Sequence, residues 1–533
     1  MQHQTIDTAN SIECDAGVGE FFAPMSSDLV DSLMGQYRRM RAKIDGLAAT
    51  VLGNEHESAM QYFLDGNEAD ANRHGRFRVD RLFETKGAIA ALDADFWQRA
   101  LALTDVLDFM PARRRNEWHE QIQNHDTPAF EEDWVRTTLE SLLSQRAEFF
   151  AERVDGIFRV LSGEHVTNRP EGFSKRMIIA GVLDDFGTVE WRKGEYINDL
   201  RAVIARFMGR DQPRSQATRK ALSAIRKDPG VWHDMDGGAL RMRVYKRGTC
   251  HIEVHEDMAW RLNAVLASLY PAAIPPQFRT QPKTRKKRKL VILMDRPLPF
   301  AIIQALAEGS LRGSSLHLTS YYLEDKHVTQ AVEQALMAIG GVKQNAMTFV
   351  FDYHPGAALN HIILTGCIPD QRSHQYYPTP EHIADEAVSL AEIGAGDRVL
   401  EPSAGQGHIA QRLPRERTTC VEVAELHCKV LTSQGFDPIC ADFIEWANTA
   451  AQFDRVVMNP PFSEGRAIQH VSAAADLVRP GGRLVAIVPA SMREKPILPD
   501  WTVRWSEVYS NEFAGTGIAV TILVADREVT KGI

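Results

Sequence analysis

The segment Asn459-Pro-Pro-Phe462 directly follows an apolar stretch that begins at Phe453, and its residue types suit chemistry on an amine. An exocyclic amine conjugated to a purine is a poor nucleophile, because its lone pair is delocalised into the ring. The Asn459 side-chain oxygen and the Pro460 carbonyl can both accept hydrogen bonds from such an amine, which holds the nitrogen towards tetrahedral geometry. Two prolines restrict the backbone that carries these acceptors. The candidate catalytic residues are therefore Asn459, Pro460, Pro461 and Phe462, with Phe462 stacking on the base.

A glycine-bearing turn further upstream predicts one half of a cofactor site. The predicted strand Arg398–Glu401 leads into this turn, and the residues His408–Leu413 after it are predicted to be helical. Glycine lets a backbone approach a ligand where a Cβ would collide, and a helix start offers N–H groups to a carboxylate. Glu401, at the strand end, can bind an ammonium group. The candidate residues of this turn are Glu401, Pro402, Ser403, Ala404, Gly405 and Gly407.

The next two predicted strands, Thr418–Val421 and Pro438–Cys440, each end beside a carboxylate. An acidic residue about 20 residues beyond a glycine turn can accept hydrogen bonds from ribose hydroxyls. The second carboxylate can accept from an adenine amine, and the phenylalanine after it can cover the ring. The proline-bounded segment Tyr376–Pro380 predicts a rigid wall for the same site. These segments add the candidate cofactor residues Tyr377, Pro378, Thr379, Glu422, Asp442 and Phe443, and Asn459 also belongs to this group.

In this order, the segments resemble class I S-adenosylmethionine-dependent methyltransferases that methylate amino groups in DNA. Arg479–Pro489 and Ile518–Val524 resemble the fifth strand and the final antiparallel strand of that fold. The resemblance implies an α/β fold class with a C-terminal Rossmann-like, seven-stranded methyltransferase domain and S-adenosylmethionine as the cofactor. It also implies an adenine-specific DNA methyltransferase that acts on the exocyclic N6, with the base flipped out of double-stranded DNA.

The chain before this region predicts a mainly helical α+β domain over residues 1–280. Apolar residues between Leu29 and Val51 recur at three- and four-residue steps, which predicts an amphipathic helix that Ser26 or Ser27 can cap. Leu240–Tyr245 and Thr249–Val254 alternate as the strands of a hairpin. These 280 residues resemble an uncharacterised domain that precedes phage- and plasmid-type methylases on mobile elements, and the resemblance implies no activity for it.

Two short segments separate this domain from the methyltransferase domain, which we expect over residues 371–533. Residues 281–289 contain the basic run Lys283–Lys289, which predicts an exposed linker. Residues 290–370 predict a small α/β unit. Its expected elements are a strand at Leu290–Met294, a helix at Val328–Ile339 and a strand at Met347–Phe351.

Target recognition is expected to come from residues 1–370, because Phe462–Pro480 leaves room for one helix only. An enzyme that flips a base needs contacts outside the catalytic fold. The segment Arg214–Lys227 predicts a helix with one apolar and one basic face. This helix, the hairpin at Arg241–Arg247 and the basic linker are the candidates for DNA contact. A role in restriction-modification is one of several biological contexts that this reading leaves open.

Composition sets broad limits on the function. Six scattered cysteines without a CxxC pair favour reduced thiols and argue against a zinc knuckle or disulfide scaffold. The sequence contains no apolar run long enough to cross a bilayer and no signal-peptide pattern, so a cytoplasmic location is expected. A net charge of −9 does not indicate nucleic-acid binding by the chain as a whole, but binding needs only a local basic surface.

Several alternatives remain open from the sequence. The same acceptor chemistry serves methylation of RNA amines, of protein glutamine amides and of cytosine N4, although the Asn and Phe of the motif favour adenine. A metal-dependent nuclease pattern at Asp295 and Glu324–Lys326 is built from common residues only. A non-enzymatic nucleic-acid-binding protein that keeps the methyltransferase fold is a further alternative, which the intact Asn-Pro-Pro-Phe motif disfavours. A metal site at His251, His255 and Glu256 is disfavoured because a strand points alternate residues to opposite faces.

Overall fold

The computed structural model describes residues 27–53, 56–68, 79–161, 168, 171–184, 186–281, 297–319, 325–368, 377–462, 465–513 and 517–528. The predicted linker Lys283–Lys289, the predicted strand Leu290–Met294, and Tyr376, Asp295 and Glu324 lie outside these ranges. Within them, no helix combines the length and the apolar character that crossing a membrane requires.

The helices are α1 Ser27–Val51, α2 His56–Glu68, α3 Val79–Leu82, α4 Thr85–Ala102, α5 Val106–Phe109, α6 Ala112–Gln123, α7 Glu132–Ser144, α8 Arg146–Val160, α9 Trp191–Phe207, α10 Ser215–Ile225, α11 Glu256–Leu269, α12 Phe300–Glu308, α13 Lys326–Met337, α14 Gly356–Thr365, α15 Glu381–Leu390, α16 Glu425–Ser433, α17 Phe443–Ala447 and α18 Arg466–Asp476. The strands are β1 Arg176–Ile179, β2 His233–Met235, β3 Leu240–Val244, β4 Cys250–Val254, β5 Ser310–Arg312, β6 Ser315–His317, β7 Val342–Asn345, β8 Thr348–Val350, β9 Val399–Glu401, β10 Thr418–Glu422, β11 Ile439–Cys440, β12 Phe453–Met458, β13 Val478–Pro489, β14 Thr502–Tyr509 and β15 Val520–Asp526.

The chain divides into two compact units, and each is interrupted in sequence. The first contains Met1–Gln212 and Arg243–Val291, and the second contains Pro213–Met242 and Ile292–Ile533. This division differs from the expected boundary near residue 280, because Pro213–Met242 groups with the C-terminal half of the chain. The physical reason is the packing of α10, whose apolar face lies against α12 and α14.

The first unit is mainly helical, and its buried polar pairs hold helices that are distant in sequence. The predicted amphipathic helix is present as α1, and the Tyr37 hydroxyl on its buried side donates to Asp93 Oδ1 on α4 at 2.6 Å. Arg153 on α8 and Asp199 on α9 form a buried ion pair at 2.6 Å. The predicted hairpin turn is also present, with Tyr245 N donating to Thr249 O at 2.9 Å.

The second unit carries a small sheet before its large one. Strands β5 to β8 form an antiparallel sheet in the order β5-β6-β8-β7, and the predicted helix in this region is α13. α14 packs against both α10 and α16, so the small α/β segment and the larger domain share one core. His233–Met235 on β2 also lies against α14.

The large sheet has seven strands in the order β11-β10-β9-β12-β13-β15-β14. Strands β9 to β13 run parallel, whereas β15 is antiparallel to both of its neighbours. The inner segments Val456–Met458 and Leu484–Val488 are completely buried, as expected for strands covered on both faces. The expected seven-stranded α/β arrangement is present, and the final antiparallel strand falls at Val520–Asp526.

Two local expectations differ from the structure. Residues His408–Leu413 do not form an α-helix. Within them, Ala410–Arg412 adopt a short 3₁₀ turn. Pro414 follows at once, and the residue before a proline is pushed into an extended conformation, as Leu413 shows with φ −96° and ψ 157°. The edge strand β14 is the second difference, because its mixed exposure leaves no clean alternation in the sequence.

Candidate active site

A cavity of about 250 Å³ lies where the large sheet reverses its strand order. β9 and β12 are neighbours, and the chain builds the sheet outwards from them in opposite directions. Ligands of open α/β sheets bind beyond the carboxyl ends of the strands at such a switch point. The candidate residues that line this cavity are Tyr377, Thr379, Glu401, Pro402, Ser403, Ala404, Gly405, Glu422, Asp442, Phe443, Asn459, Pro460, Pro461 and Phe462.

Two candidate cofactor residues, Pro378 and Gly407, do not line the cavity. Gly407 has φ +86°, and a Cβ there would lie 2.7 Å from Gln434 Oε1 and 3.0 Å from Leu431 Cδ2. Glycine is therefore needed at position 407 because the backbone there lies close to side chains of α16 and of the residue after it. Gly405, with φ +53°, does line the cavity, and its N–H is held by a carboxylate.

Glu422 organises the turn after β9 and the start of α16. Its Oε2 accepts from the N–H of Gly405 at 2.8 Å, and its Oε1 accepts from the N–H of Ala424 at 2.8 Å. Burial raises the pKa of Glu422, but hydrogen bonding from His427 and from these two backbone groups outweighs it, so the pKa lies below its ordinary value. Glu422 is thus held ionised, and its Oε2, which accepts from Gly405 alone among the described residues, keeps a further lone pair for a ligand hydroxyl.

Glu401 differs from Glu422 because its pKa is shifted upwards. The side chain is buried, and its Oε2 has no hydrogen-bond partner among the described residues. Burial and the nearby charge of Glu422 raise the pKa of Glu401 well above its ordinary value, against the effect of a backbone hydrogen bond from Ala410. A buried acceptor without a partner, beside a cavity, fits a cationic ligand group.

Asn459 lies at the end of β12, opposite the segment that precedes α15. Its Nδ2 donates to the Thr379 hydroxyl at 3.0 Å, which leaves Oδ1 as the free acceptor of the amide. Phe462 is half-buried, and its ring lies 6.4 Å from the ring of Phe513 in an edge-to-face arrangement. The structure therefore brings the candidate catalytic residues and most of the candidate cofactor residues into one cavity.

Four polar residues that the sequence analysis did not select also line the cavity, and they are His408, His427, Arg466 and His470. His427 Nδ1 lies 3.7 Å from Glu422 Oε1. His470 Nδ1 lies 3.4 Å from Ser403 Oγ, and its ring centroid lies 5.4 Å from that of Phe443. Burial lowers the pKa of His470, which keeps the imidazole neutral at physiological pH. His427 lies on α16 and His470 on α18, and the packing of each helix decides whether its histidine faces the cavity. A single histidine in a helical sequence gives no local signal of this.

The lining residues fit S-adenosylmethionine. The ionised Glu422 suits ribose hydroxyls, the unpartnered Glu401 oxygen suits an ammonium group, and the buried Phe443 ring suits a purine face. Within the part of the chain that the structure describes, no group of three or more His, Cys, Asp or Glu side chains is arranged to hold a metal ion, and this includes the segment around His251.

Comparison with solved structures gives low sequence identities. TrmN from Thermus thermophilus is 19% identical, with 38% of this chain and 67% of that chain covered and a TM-score of 0.25. A protein from Pyrococcus horikoshii assigned as an RNA methyltransferase is 21% identical, with 31% and 90% covered and a TM-score of 0.27. A Listeria monocytogenes protein assigned to the class I S-adenosylmethionine-dependent methyltransferases is 14% identical, with 31% and 64% covered and a TM-score of 0.26. This chain thus spans less than two thirds of the Listeria protein.

Among protein families, the model described as a domain of unknown function, DUF4942, matches residues 89–272. No curated protein matches the chain. The family description carries no activity, which agrees with the expected resemblance of this region to an uncharacterised domain. Evidence for the function therefore comes from the geometry of the cavity.

Proposed function

We propose that the chain is an S-adenosylmethionine-dependent methyltransferase that transfers a methyl group to the exocyclic N6 of adenine in DNA. The observation that carries the proposal is the Asn459 amide, which is fixed by Thr379 at the wall of the cavity that also contains Glu401 and Glu422. An acceptor pair for an amine and a set of groups for a nucleoside-like cofactor thus share one site.

In this mechanism, Asn459 Oδ1 and the Pro460 carbonyl accept the two hydrogens of the target amine. Both acceptors oppose delocalisation of the lone pair into the purine ring, so the nitrogen becomes more nucleophilic. Phe462 presents an aromatic face to the flipped base. Glu422 orients the ribose hydroxyls of the cofactor, and Glu401 holds its ammonium group. When bound, S-adenosylmethionine supplies an activated methyl group on a sulfonium centre. The amine loses its proton after it is methylated, so no strong base is required beforehand.

Incubation of the purified protein with methyl-labelled S-adenosylmethionine and unmethylated DNA or RNA, followed by nucleoside mass spectrometry, tests this proposal. We expect N6-methyladenine in DNA. Label in RNA alone would keep the chemistry and contradict the DNA substrate, and N4-methylcytosine would contradict the adenine target. Absence of label in both nucleic acids would contradict the proposed function as a whole.

Asn459→Ala tests the acceptor role directly. Removing the side-chain oxygen should lower the methyl-transfer rate by about 100-fold or more, because a preorganised acceptor at a reacting centre has effects of this size. S-adenosylmethionine affinity, measured by calorimetry, should stay within about threefold of wild type, since Glu401 and Glu422 are retained. Asn448→Ala, at an exposed asparagine after α17, is the matched control and should behave as wild type. A fully active Asn459→Ala protein would rule out the assigned role.

A further inference from the structure

One side-chain hydrogen bond connects two segments that are 80 residues apart in sequence. Asn459 Nδ2, after β12, donates to Thr379 Oγ1, in the segment before α15, at 3.0 Å. Thr379 is 7% exposed, so water competes little for its hydroxyl. Both residues line the candidate active site.

The backbone conformations of both Thr379 and Asn459 are restricted. Thr379 is followed by Pro380 and Asn459 by Pro460, and a residue before a proline is confined to extended conformations. Pro378 restricts the chain on the other side of Thr379, and Pro380, the residue directly before α15, has φ −56°. Threonine is also β-branched, which restricts its χ1 rotamer. The hydroxyl therefore occupies a defined place opposite the amide.

We propose that Thr379 is a positioning residue for Asn459, which holds the amide so that Oδ1 faces the target amine. This inference rests on the proposed function and refines it, because Thr379 then acts through Asn459. From the sequence alone, Thr379 is expected only in the wall around the cofactor.

The hydrogen-bonding capacities of the groups explain why the Asn459 amide takes one orientation and not the reverse. A target amine offers N–H donors, so a reversed amide would place donor against donor and leave the amine without a side-chain acceptor. With Oδ1 towards the amine, the Nδ2 group needs an acceptor on its other side. The Thr379 hydroxyl supplies this acceptor. A side chain of the same shape without the hydroxyl would leave a half-buried N–H group without a partner.

Thr379→Val and Thr379→Ser separate the hydroxyl from the shape of the side chain. We expect Thr379→Val to lower the rate of methyl transfer at saturating S-adenosylmethionine by about tenfold or more, because of the lost orienting hydrogen bond. Thr379→Ser keeps the hydroxyl and should recover most of that rate. The Kd for S-adenosylmethionine, measured by calorimetry, should be close to wild type in both variants. Thr432→Val, at an exposed position on α16, is the control for a threonine-to-valine change.

A second readout does not depend on catalysis. In protein labelled with ¹⁵N-asparagine, the side-chain NH₂ resonance of Asn459 is assigned by its loss in Asn459→Ala. We expect this resonance to shift and to exchange with water faster in Thr379→Val, whereas Thr379→Ser should resemble wild type.

Each result decides between the positioning role and its rivals. A slow Thr379→Val, restored by serine and accompanied by the NMR change, supports positioning. A weaker Kd for S-adenosylmethionine at an unchanged maximal rate would overturn it and return Thr379 to the cofactor wall. An unchanged Asn459 resonance in Thr379→Val would also overturn it. If wild type transfers no methyl group, the proposed function fails, and the NMR result still decides whether Thr379 holds the amide.

Discussion

Glu401 shows how burial of a single residue in this site makes the stability of the folded protein depend on pH. Burial and the charge of Glu422 raise the pKa of Glu401 well above its ordinary value. The native protein therefore binds a proton that the unfolded chain has released, over the range from about pH 4.5 upwards. Stability contributed by the neutral carboxyl is complete at low pH and is lost as pH rises through the folded-state pKa.

Glu401→Gln should make the ligand-free protein more stable at pH 8, because glutamine reproduces the shape of the neutral carboxyl and cannot ionise. The gain in thermal midpoint should shrink towards pH 4.5. The same change should weaken S-adenosylmethionine binding, since glutamine cannot give up a proton to become the anionic partner of the ammonium group. Thermal unfolding at several pH values and calorimetry measure the two effects. Glu416→Gln, at an exposed carboxylate, is the control, and a pH-independent gain in Glu401→Gln would contradict the argument.

The sequence could predict those site residues that are polar and lie at the ends of apolar strands. Asn459, Glu401 and Glu422 each lie at the carboxyl end of an apolar strand, and parallel strands bring such ends together in space. His427 and His470 were missed because they lie within helices, where the face towards the cavity depends on how the helix packs. The role of Gly407 was misplaced because a glycine requirement in sequence does not show which neighbour comes close.

At the scale of elements, the turn after β9 depends on a glycine with left-handed backbone. Gly407→Ala should lower the free energy of unfolding by about 1–3 kcal/mol, because φ +86° is strained for alanine and the Cβ would meet Gln434 and Leu431. Urea denaturation measures the change. Gly396→Ala, where no atom lies within 4 Å of the added Cβ, is the matched control and should be nearly neutral. Equal effects of the two substitutions would show that backbone entropy alone is involved.

Elements with strong periodicity were predicted more successfully than those that tertiary packing decides. α1, the β3–β4 hairpin turn and the inner strands of the large sheet carry regular apolar patterns, and they occur close to their expected bounds. The 3₁₀ turn at Ala410–Arg412 was predicted as a longer helix because the effect of Pro414 on the preceding residue was underestimated. β14 lies at the sheet edge, where burial imposes no clean alternation.

At the scale of the whole molecule, Pro213–Met242 belongs to the unit that contains the candidate active site. This assignment was not readable from sequence, since the segment lies between two parts of the first unit. Deletion of residues 1–280 would remove α10 and β2, which pack against α12 and α14, so such a deletion would confuse loss of recognition with loss of core packing. Substitutions on the exposed face of α10 avoid this difficulty.

The exposed basic side chains of α10 give a specific prediction for DNA binding. The whole chain carries a net charge of −9, so attraction to phosphate requires a local basic surface. Arg219 and Lys220 are exposed, whereas Ala221 and Leu222 on the same helix are buried, so the charges can change while the packing stays. Arg219→Glu combined with Lys220→Glu should weaken DNA binding by about tenfold or more at low salt. The slope of log K against log salt should become less steep by about 2, because each phosphate contact contributes about 0.9.

The matched control for this prediction is Arg81→Glu combined with Lys86→Glu, which makes the same change in total charge at two exposed positions of the first unit. S-adenosylmethionine affinity should be unchanged in both double variants, since neither touches the cavity. If the control weakens DNA binding equally, the effect reflects overall charge and the surface of α10 has no special role. If only the α10 variant loses binding and flattens the salt dependence, then DNA is held by the same unit that carries the Asn459 site. Recognition and chemistry would then share one core, and the first unit would be left to adjust target choice.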